Sequence, residues 1–226
     1  MSTCLLHPPG PRPEPDLLRR CRALPTSILS DSMERAGGVS GVLWTPGGQW
    51  PRISGPALTV RTRPGDNLVV HHALDLAEEG DVLVVDGGGY EGRAVLGEIM
   101  ARYAAARKLA AIVVDGAVRD VEGLAQTPVA VFARAVNHLG PDKDGPGEVR
   151  GPVQVGGTVV CSGDVVVGDA DGVVVLPASR AAQIVVTGEG RLRDEVDVMV
   201  AIADGTWDRS WVRDALDEVP VAAVPR

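Results

Sequence analysis

The segment Ile112-Val113-Val114-Asp115-Gly116-Ala117-Val118-Arg119-Asp120 sets an arginine beside an aspartate just after an apolar run that ends in Asp-Gly. A guanidinium is a planar, permanently cationic fork suited to a carboxylate or enolate oxygen. A carboxylate is a hard oxygen ligand suited to a divalent cation. Adjacent opposite charges are also an ordinary solvated surface pair, and it is the position after a buried strand and a glycine that points to a site. A second stretch, running from Asp86-Gly87-Gly88-Gly89 to Leu96-Gly97-Glu98, is rich in glycine. It lacks the lysine of a phosphate-binding P-loop and is out of register with G-x-G-x-x-G, which argues against a nucleotide. A helix beginning near Gly97-Glu98-Ile99-Met100 would instead offer free backbone N–H groups to a carboxylate; the plain alternative is a tight strand-to-helix turn. Asp86, Glu98 and Glu195 are further carboxylates available as a base or as supporting partners.

These residues need elements to position them. Val82 to Gly87 and Ala111 to Gly116 are apolar, β-branched runs on either side of an alanine-rich helical stretch over residues 94–108. Together they predict a βαβ unit in a parallel sheet covered on both faces. Ligands of such sheets gather at the carboxyl ends of the strands, so Asp86, Gly87 to Gly89, Gly116, Arg119 and Asp120 are expected along one rim. Around this unit the pattern predicts a short helix over 16–22 and a second one capped by Ser30 or Asp31 and stopped by Gly37-Gly38. It also predicts a strand over 53–63, a helix over 67–78, a short helix over 120–125 and a strand over 128–134. Residues 152–177 alternate short valine runs with Gly-Gly, Ser-Gly-Asp and Asp169-Ala170-Asp171-Gly172, which signals hairpins. The last of these lacks the later glutamate and flanking helices of a calcium loop and reads as a turn. A helix over 178–204 and a Trp-containing amphipathic tail follow. No linker composition divides the chain, so the expected organisation is a proline-rich arm over 1–15 and one domain over 16–226 with a C-terminal helical tail. The fold class is α/β, a layered sheet with a βαβ core, C-terminal β-hairpins and flanking helices.

Composition narrows the function. The 226 residues are 45% hydrophobic and 23% charged, as in an ordinary globular protein. A net charge of −8 without a basic cluster, and only 3% aromatic residues, argue against a nucleic-acid partner. Cys4, Cys21 and Cys161 are too dispersed for a disulfide scaffold, and His7, His71, His72 and His138 have no zinc-ligand spacing. The N-terminal His-Pro-Pro-Gly-Pro-Arg-Pro-Glu-Pro stands where a signal peptide would need an apolar core, and no run approaches membrane-spanning length; a cytoplasmic protein without a membrane partner is expected.

The blocks Pro25 to Gly37, Val82 to Gly89, Gly97 to Asp120 and Gly145 to Pro177 resemble the RraA-like family. This family includes divalent-metal-dependent 4-hydroxy-4-methyl-2-oxoglutarate aldolases that also decarboxylate oxaloacetate. The resemblance implies an RraA-like, swivelling β/α fold. It implies that backbone amides of Gly97-Glu98-Ile99-Met100 hold a pyruvyl carboxylate, that Arg119 meets the keto or enolate oxygen and that Asp120 holds the metal, Mg²⁺ or alternatively Mn²⁺. It further implies that Glu195 reaches the site of a neighbouring subunit in a trimer or hexamer. The substrate would be a small 2-oxo acid, cleaved by a retro-aldol step to pyruvate or decarboxylated through the same enolate, with Glu98 or Glu195 organising the base. Other members inhibit the RNA-degrading enzyme RNase E and can lack the aspartate after the arginine, so Asp120 favours the enzyme. A non-catalytic ribonuclease regulator, or a lyase or hydratase recruited to a different keto acid, are the alternatives. The "ADGTWDRSW" tail and the N-terminal arm depart from the aldolase pattern and leave the fragment opposite pyruvate open. Loops over 137–148 and 90–93 are where it would be read.

Overall fold

The computed structural model describes residues 2–42 and 52–217. In chain order the elements begin with β1 (Cys4–Leu6), α1 (Pro15–Ala23), α2 (Thr26–Asp31), β2 (Gly38–Val39), β3 (Ile53–Thr62) and α3 (Leu68–Leu76). The middle comprises β4 (Val82–Leu96), α4 (Glu98–Ala106), β5 (Ala111–Val118), α5 (Val121–Leu124) and β6 (Ala130–Val136). The rest comprises β7 (Gly147–Val149), β8 (Val153–Val155), β9 (Thr158–Val160), β10 (Val165–Asp169), β11 (Gly172–Leu176), α6 (Ala181–Ala203) and α7 (Ser210–Asp214).

β3, β4, β5 and β6 lie side by side and parallel, with α3, α4 and α5 as crossovers. When sequential parallel strands are neighbours, right-handed crossovers put every helix on one face. The period of two along each strand then separates two cores. Leu83, Val85, Ile112 and Val114 point to the helical face and pack with Val70, Leu74, Ala101 and Ala104. Val82, Val84, Val113 and Phe132 point the other way, against Val153, Val155, Val160 and Val166 of the hairpins. Each such side chain removed from water contributes roughly 1.5–3 kcal/mol.

The sheet is mixed, where the apolar runs alone predict a parallel one. β3 pairs in parallel with β4 through Ala57 to Arg61, but its first residues, Ile53 to Pro56, pair antiparallel with β10. β10, β11 and β2 continue that antiparallel half, which α1, α2 and α6 cover. Val165 and Val167 face these helices while Val166 faces the other core, so the hairpins predicted over 152–177 bridge two layers.

Two expectations shift. The strand from Val82 does not stop at Gly87: β4 runs on to Leu96 and keeps pairing with β5 through irregularities after Asp86, Tyr90 and Ala94. Gly88 and Gly89, at φ 69° and 67°, take up the extra residues as a left-handed excursion that glycine enters without steric cost. The second short helix is Thr26–Asp31, ending where a cap at Ser30 or Asp31 would have begun it. Its start is held from the far hairpin, because Asp169 accepts from Thr26 N at 2.9 Å and from Thr26 Oγ1 at 2.6 Å. Of the arm, residues 2–15 are tied down: β1 pairs with β7, and Arg12 reaches Asp81 at 2.8 Å.

Candidate active site

The end of β5 carries the chemistry. Arg119 N donates to Leu96 O at 2.9 Å and Asn137 N to Val118 O at 2.9 Å, so the ends of β4, β5 and β6 are tied together there. The chain then turns sharply: Asp120 sits in the left-handed region, φ 59° and ψ 44°, immediately ahead of α5. Aspartate is among the few non-glycine residues that tolerate this conformation. The turn swings its carboxylate back toward the start of α4. Asp120 Oδ2 accepts from Glu98 N at 3.2 Å and lies 3.5 Å from Arg119 Nε. Both side chains remain accessible, 40% for Arg119 and 43% for Asp120.

α4 begins beside this pair. Gly97 is its N-cap, and the first intrahelical bond is Ala101 N to Gly97 O at 3.1 Å. The amides of Glu98, Ile99 and Met100 therefore have no partner within the helix. Asp120 takes that of Glu98, leaving the amides of Ile99 and Met100 at the positive end of the helix dipole. Glycine at 97 leaves room for the pair: a Cβ there would crowd Asp120 Oδ2, forcing that side chain to shift, and come within 3.1 Å of Arg119 Cγ.

A pocket lies between these groups and the loop that follows β6. Gly97, Ile99, Met100, Arg119 and Asp120 line one wall; Asn67, His71, Pro141 and Lys143 line the other. Asn67 is buried (3% exposed), donates to Met100 Sδ at 3.2 Å, and its Oδ1 has no partner among the described residues. Burial, reinforced by the Lys143 ammonium, holds the His71 imidazole below its ordinary pKa, so it is neutral at neutral pH. Behind this wall, Asp66 accepts backbone N–H bonds from Leu68, Asp144 and Gly145 at 2.7–2.9 Å and the Arg63 guanidinium at 3.0 Å. Burial would raise its pKa, but these donors outweigh it and hold the carboxyl below the usual range. Asp66 thereby welds the turn before α3 to the loop bearing Lys143.

The structure thus brings Gly97, Ile99, Met100, Arg119 and Asp120 together, with the backbone of Glu98. It does not bring the other acidic side chains there. Glu98 turns its carboxylate away, to Arg102 Nε at 2.7 Å and over Gly123. Asp86 pairs in register with Asp115 within the sheet and accepts from Gly88 N and Gln154 N; because β4 runs on to Leu96, the rim predicted at Asp86 and Gly87 to Gly89 lies farther along the strand. Glu195 lies on the exposed face of α6 with Val196, Met199 and Val200, outside this pocket within the chain. Asn67 and His71 carried no signal as site residues, since neither belongs to a motif. Pro141 and Lys143 fall in the predicted loop over 137–148, whereas Arg93 braces that loop through Gly140 O at 3.2 Å.

A model of the RraA-like family (Aldolase/RraA) matches residues 26–175. The chain belongs to the RraA-like family. A "Putative 4-hydroxy-4-methyl-2-oxoglutarate aldolase" of Halalkalibacterium halodurans is 32% identical over 191 residues, which is 84% of this chain and 90% of that protein. Among solved structures, an uncharacterized protein from Pseudomonas syringae pv. tomato superposes with a TM-score of 0.79 at 26% identity, covering 91% of this chain and 96% of that one. Streptomyces coelicolor RraAS2, described as an unusual member of the RNase ES inhibitor RraA family, gives 0.74 at 28% identity, with 83% and 99% covered. The RraA-like family therefore holds both proteins named as aldolases and proteins named as ribonuclease inhibitors. No helix among the described residues is long and apolar enough to cross a membrane.

Proposed function

We propose that this RraA-like chain is a divalent-metal-dependent carbon–carbon lyase that cleaves a 4-hydroxy-2-oxo acid to release pyruvate and decarboxylates oxaloacetate through the same enolate. The observation that carries the reading is the meeting, in one pocket, of the Asp120 carboxylate, the Arg119 guanidinium and the open N–H groups of Ile99 and Met100. Breaking a bond beside a 2-keto group leaves an electron pair on carbon, which is stabilised when it flows into the keto oxygen. The amides of Ile99 and Met100 would seat the substrate carboxylate, and Arg119 would donate to the oxygen that gains charge. Lys143, beside neutral His71, would receive the anionic group at the other end. Asn67 Oδ1, buried without a partner, is an acceptor available to a substrate hydroxyl.

Asp120 is a fitting metal ligand: it is half exposed and its protein contacts run through Oδ2, leaving Oδ1 open. Among the described residues no cluster of three or more His, Cys, Asp or Glu could hold a cation. A single carboxylate with waters suits Mg²⁺, or Mn²⁺, and not a tetrahedral zinc site. When bound, the cation would supply Lewis acidity at the keto oxygen. With the Glu98 carboxylate held by Arg102, the proton of the 4-hydroxyl would leave through water organised by Glu195 of a second copy. Glu195 can serve only in a homo-oligomer, a trimer or hexamer on this reading.

A panel of 2-oxo acids assayed with Mg²⁺ and with EDTA tests this. Pyruvate release should require the metal and should fall by about 100-fold or more in Asp120→Ala. Turnover indifferent to both treatments would refute it. The rival reading, a protein that binds a ribonuclease as the name of the Streptomyces relative indicates, predicts no turnover in the parent chain.

A further inference from the structure

The loop that carries Lys143 is pinned on its inner side by the sheet and the turn before α3. Ala94 N donates to Leu139 O, Asp142 N to Gly65 O and Asn67 N to Asp142 O, at 2.9–3.1 Å. Its outer side meets the N-terminal arm. Ser2 Oγ donates to Asp144 O, and Gly147 N donates to Thr3 O at 3.1 Å. β1 then runs parallel to β7, in register from Cys4 opposite Gly147 to Leu6 opposite Val149, and His7 N closes the ladder on Val149 O at 3.0 Å. Beyond the ladder Arg12 is fastened to Asp81 at 2.8 Å and to Glu79 O at 3.1 Å.

Two features show what the arm is for. Leu5 and Leu6 are 59% and 52% exposed, so β1 adds little to the core. β7, in contrast, has three residues and, among the described residues, only β3 as its other neighbour. So short a strand at an open edge has too few ladder bonds to stay put, and β1 turns it into an interior strand.

We propose that β1 is a positioning strap for the Lys143 loop, setting the affinity of the pocket for its anionic ligand while leaving the bond-breaking step unchanged. The ligand class rests on the lyase reading above; the strapping of the loop does not. The alternation fixed by the Thr3 and His7 bonds makes Leu5 the residue of β1 whose N–H faces β7, whereas that of Leu6 faces away. Leu5→Pro in the full chain removes a ladder donor, and Leu6→Pro places the same ring where no ladder donor is lost.

In Leu5→Pro, the amides of Gly147 and Val149 should exchange hydrogen at least about tenfold faster, with those of β5 unchanged. 2-Oxoglutarate, a probe with a 2-oxo acid at one end and a carboxylate at the other, should bind about five- to twentyfold more weakly, and the KM for a 2-oxo acid with a distal carboxylate should rise equally, with kcat within about twofold. Leu5→Val and Leu6→Pro should match the parent. Unchanged exchange at Gly147 and Val149, faster exchange with unchanged 2-oxoglutarate affinity, an equal effect from Leu6→Pro, or loss of the whole fold in Leu5→Pro would each overturn the proposal. A parent chain that neither binds 2-oxoglutarate nor turns over any 2-oxo acid would sink the lyase reading and the affinity role with it, and exchange would still decide whether β1 holds the loop.

Discussion

Gly97→Ala is the most direct probe of how the site is assembled, because it alters position without removing any reacting group. Gly97 is extended, φ −146° and ψ −172°, so alanine brings no backbone strain. Its Cβ would, however, stand against Asp120 Oδ2, 3.1 Å from Arg119 Cγ and 3.3 Å from Arg119 Nε. The carboxylate must retreat by about 1 Å to restore van der Waals contact, and a misplacement of that size costs on the order of 100-fold in rate. The pair is accessible to solvent, so thermal stability should hardly move. The assay is kcat/KM for oxaloacetate with saturating Mg²⁺, alongside a melting curve. Parent-like turnover in Gly97→Ala would show that Asp120 need not sit against the start of α4, and the reasoning would fail.

Two other expectations follow from the opposite wall. Asp66→Asn retains the shape but loses the charge that collects three amides and Arg63; a stability loss of about 2–3 kcal/mol is expected in denaturant titration. The depressed pKa of Asp66 makes its contribution present above 3.8, its ordinary value, and lost as pH falls through the lower folded value; Asp66→Asn should remove that acid-side slope. His71 has linkage of the same sign in a higher pH window. Its folded pKa lies below 6.5, so the unfolded chain binds the proton first and stability should decline as pH drops through 6.5 toward the folded value; His71→Gln should flatten the melting temperature over that window.

What could be read from the residues alone follows from how local each cause is. The β-branched runs at Val82 and Ala111 and the alanine-rich segment between them announce themselves, because burial on both faces of a sheet leaves no polar alternation. Arg119, Asp120 and the start at Gly97 were legible for the same reason: they are punctuation at the ends of such runs. The true start of α2 was not, since the group that holds Thr26 is Asp169, far along the chain. Nor was the course of β4 past Gly87, because the glycines that signal a turn locally are bulges once β5 supplies hydrogen-bond partners on both sides of them. Asn67, His71 and Lys143 meet the site only through tertiary folding, and Glu98 shows the converse. Its position in the motif is as expected, yet its carboxylate goes to Arg102, an ordinary helical neighbour four residues on.

The left-handed backbone at Asp120 also bears on how this scaffold diversifies. Asparagine and glycine settle into that conformation as readily as aspartate. A single codon change there can erase the proposed metal ligand while the turn into α5 keeps its shape. Loss of chemistry at this position therefore carries almost no penalty in foldedness, which leaves the same architecture free for selection on whatever its surface binds.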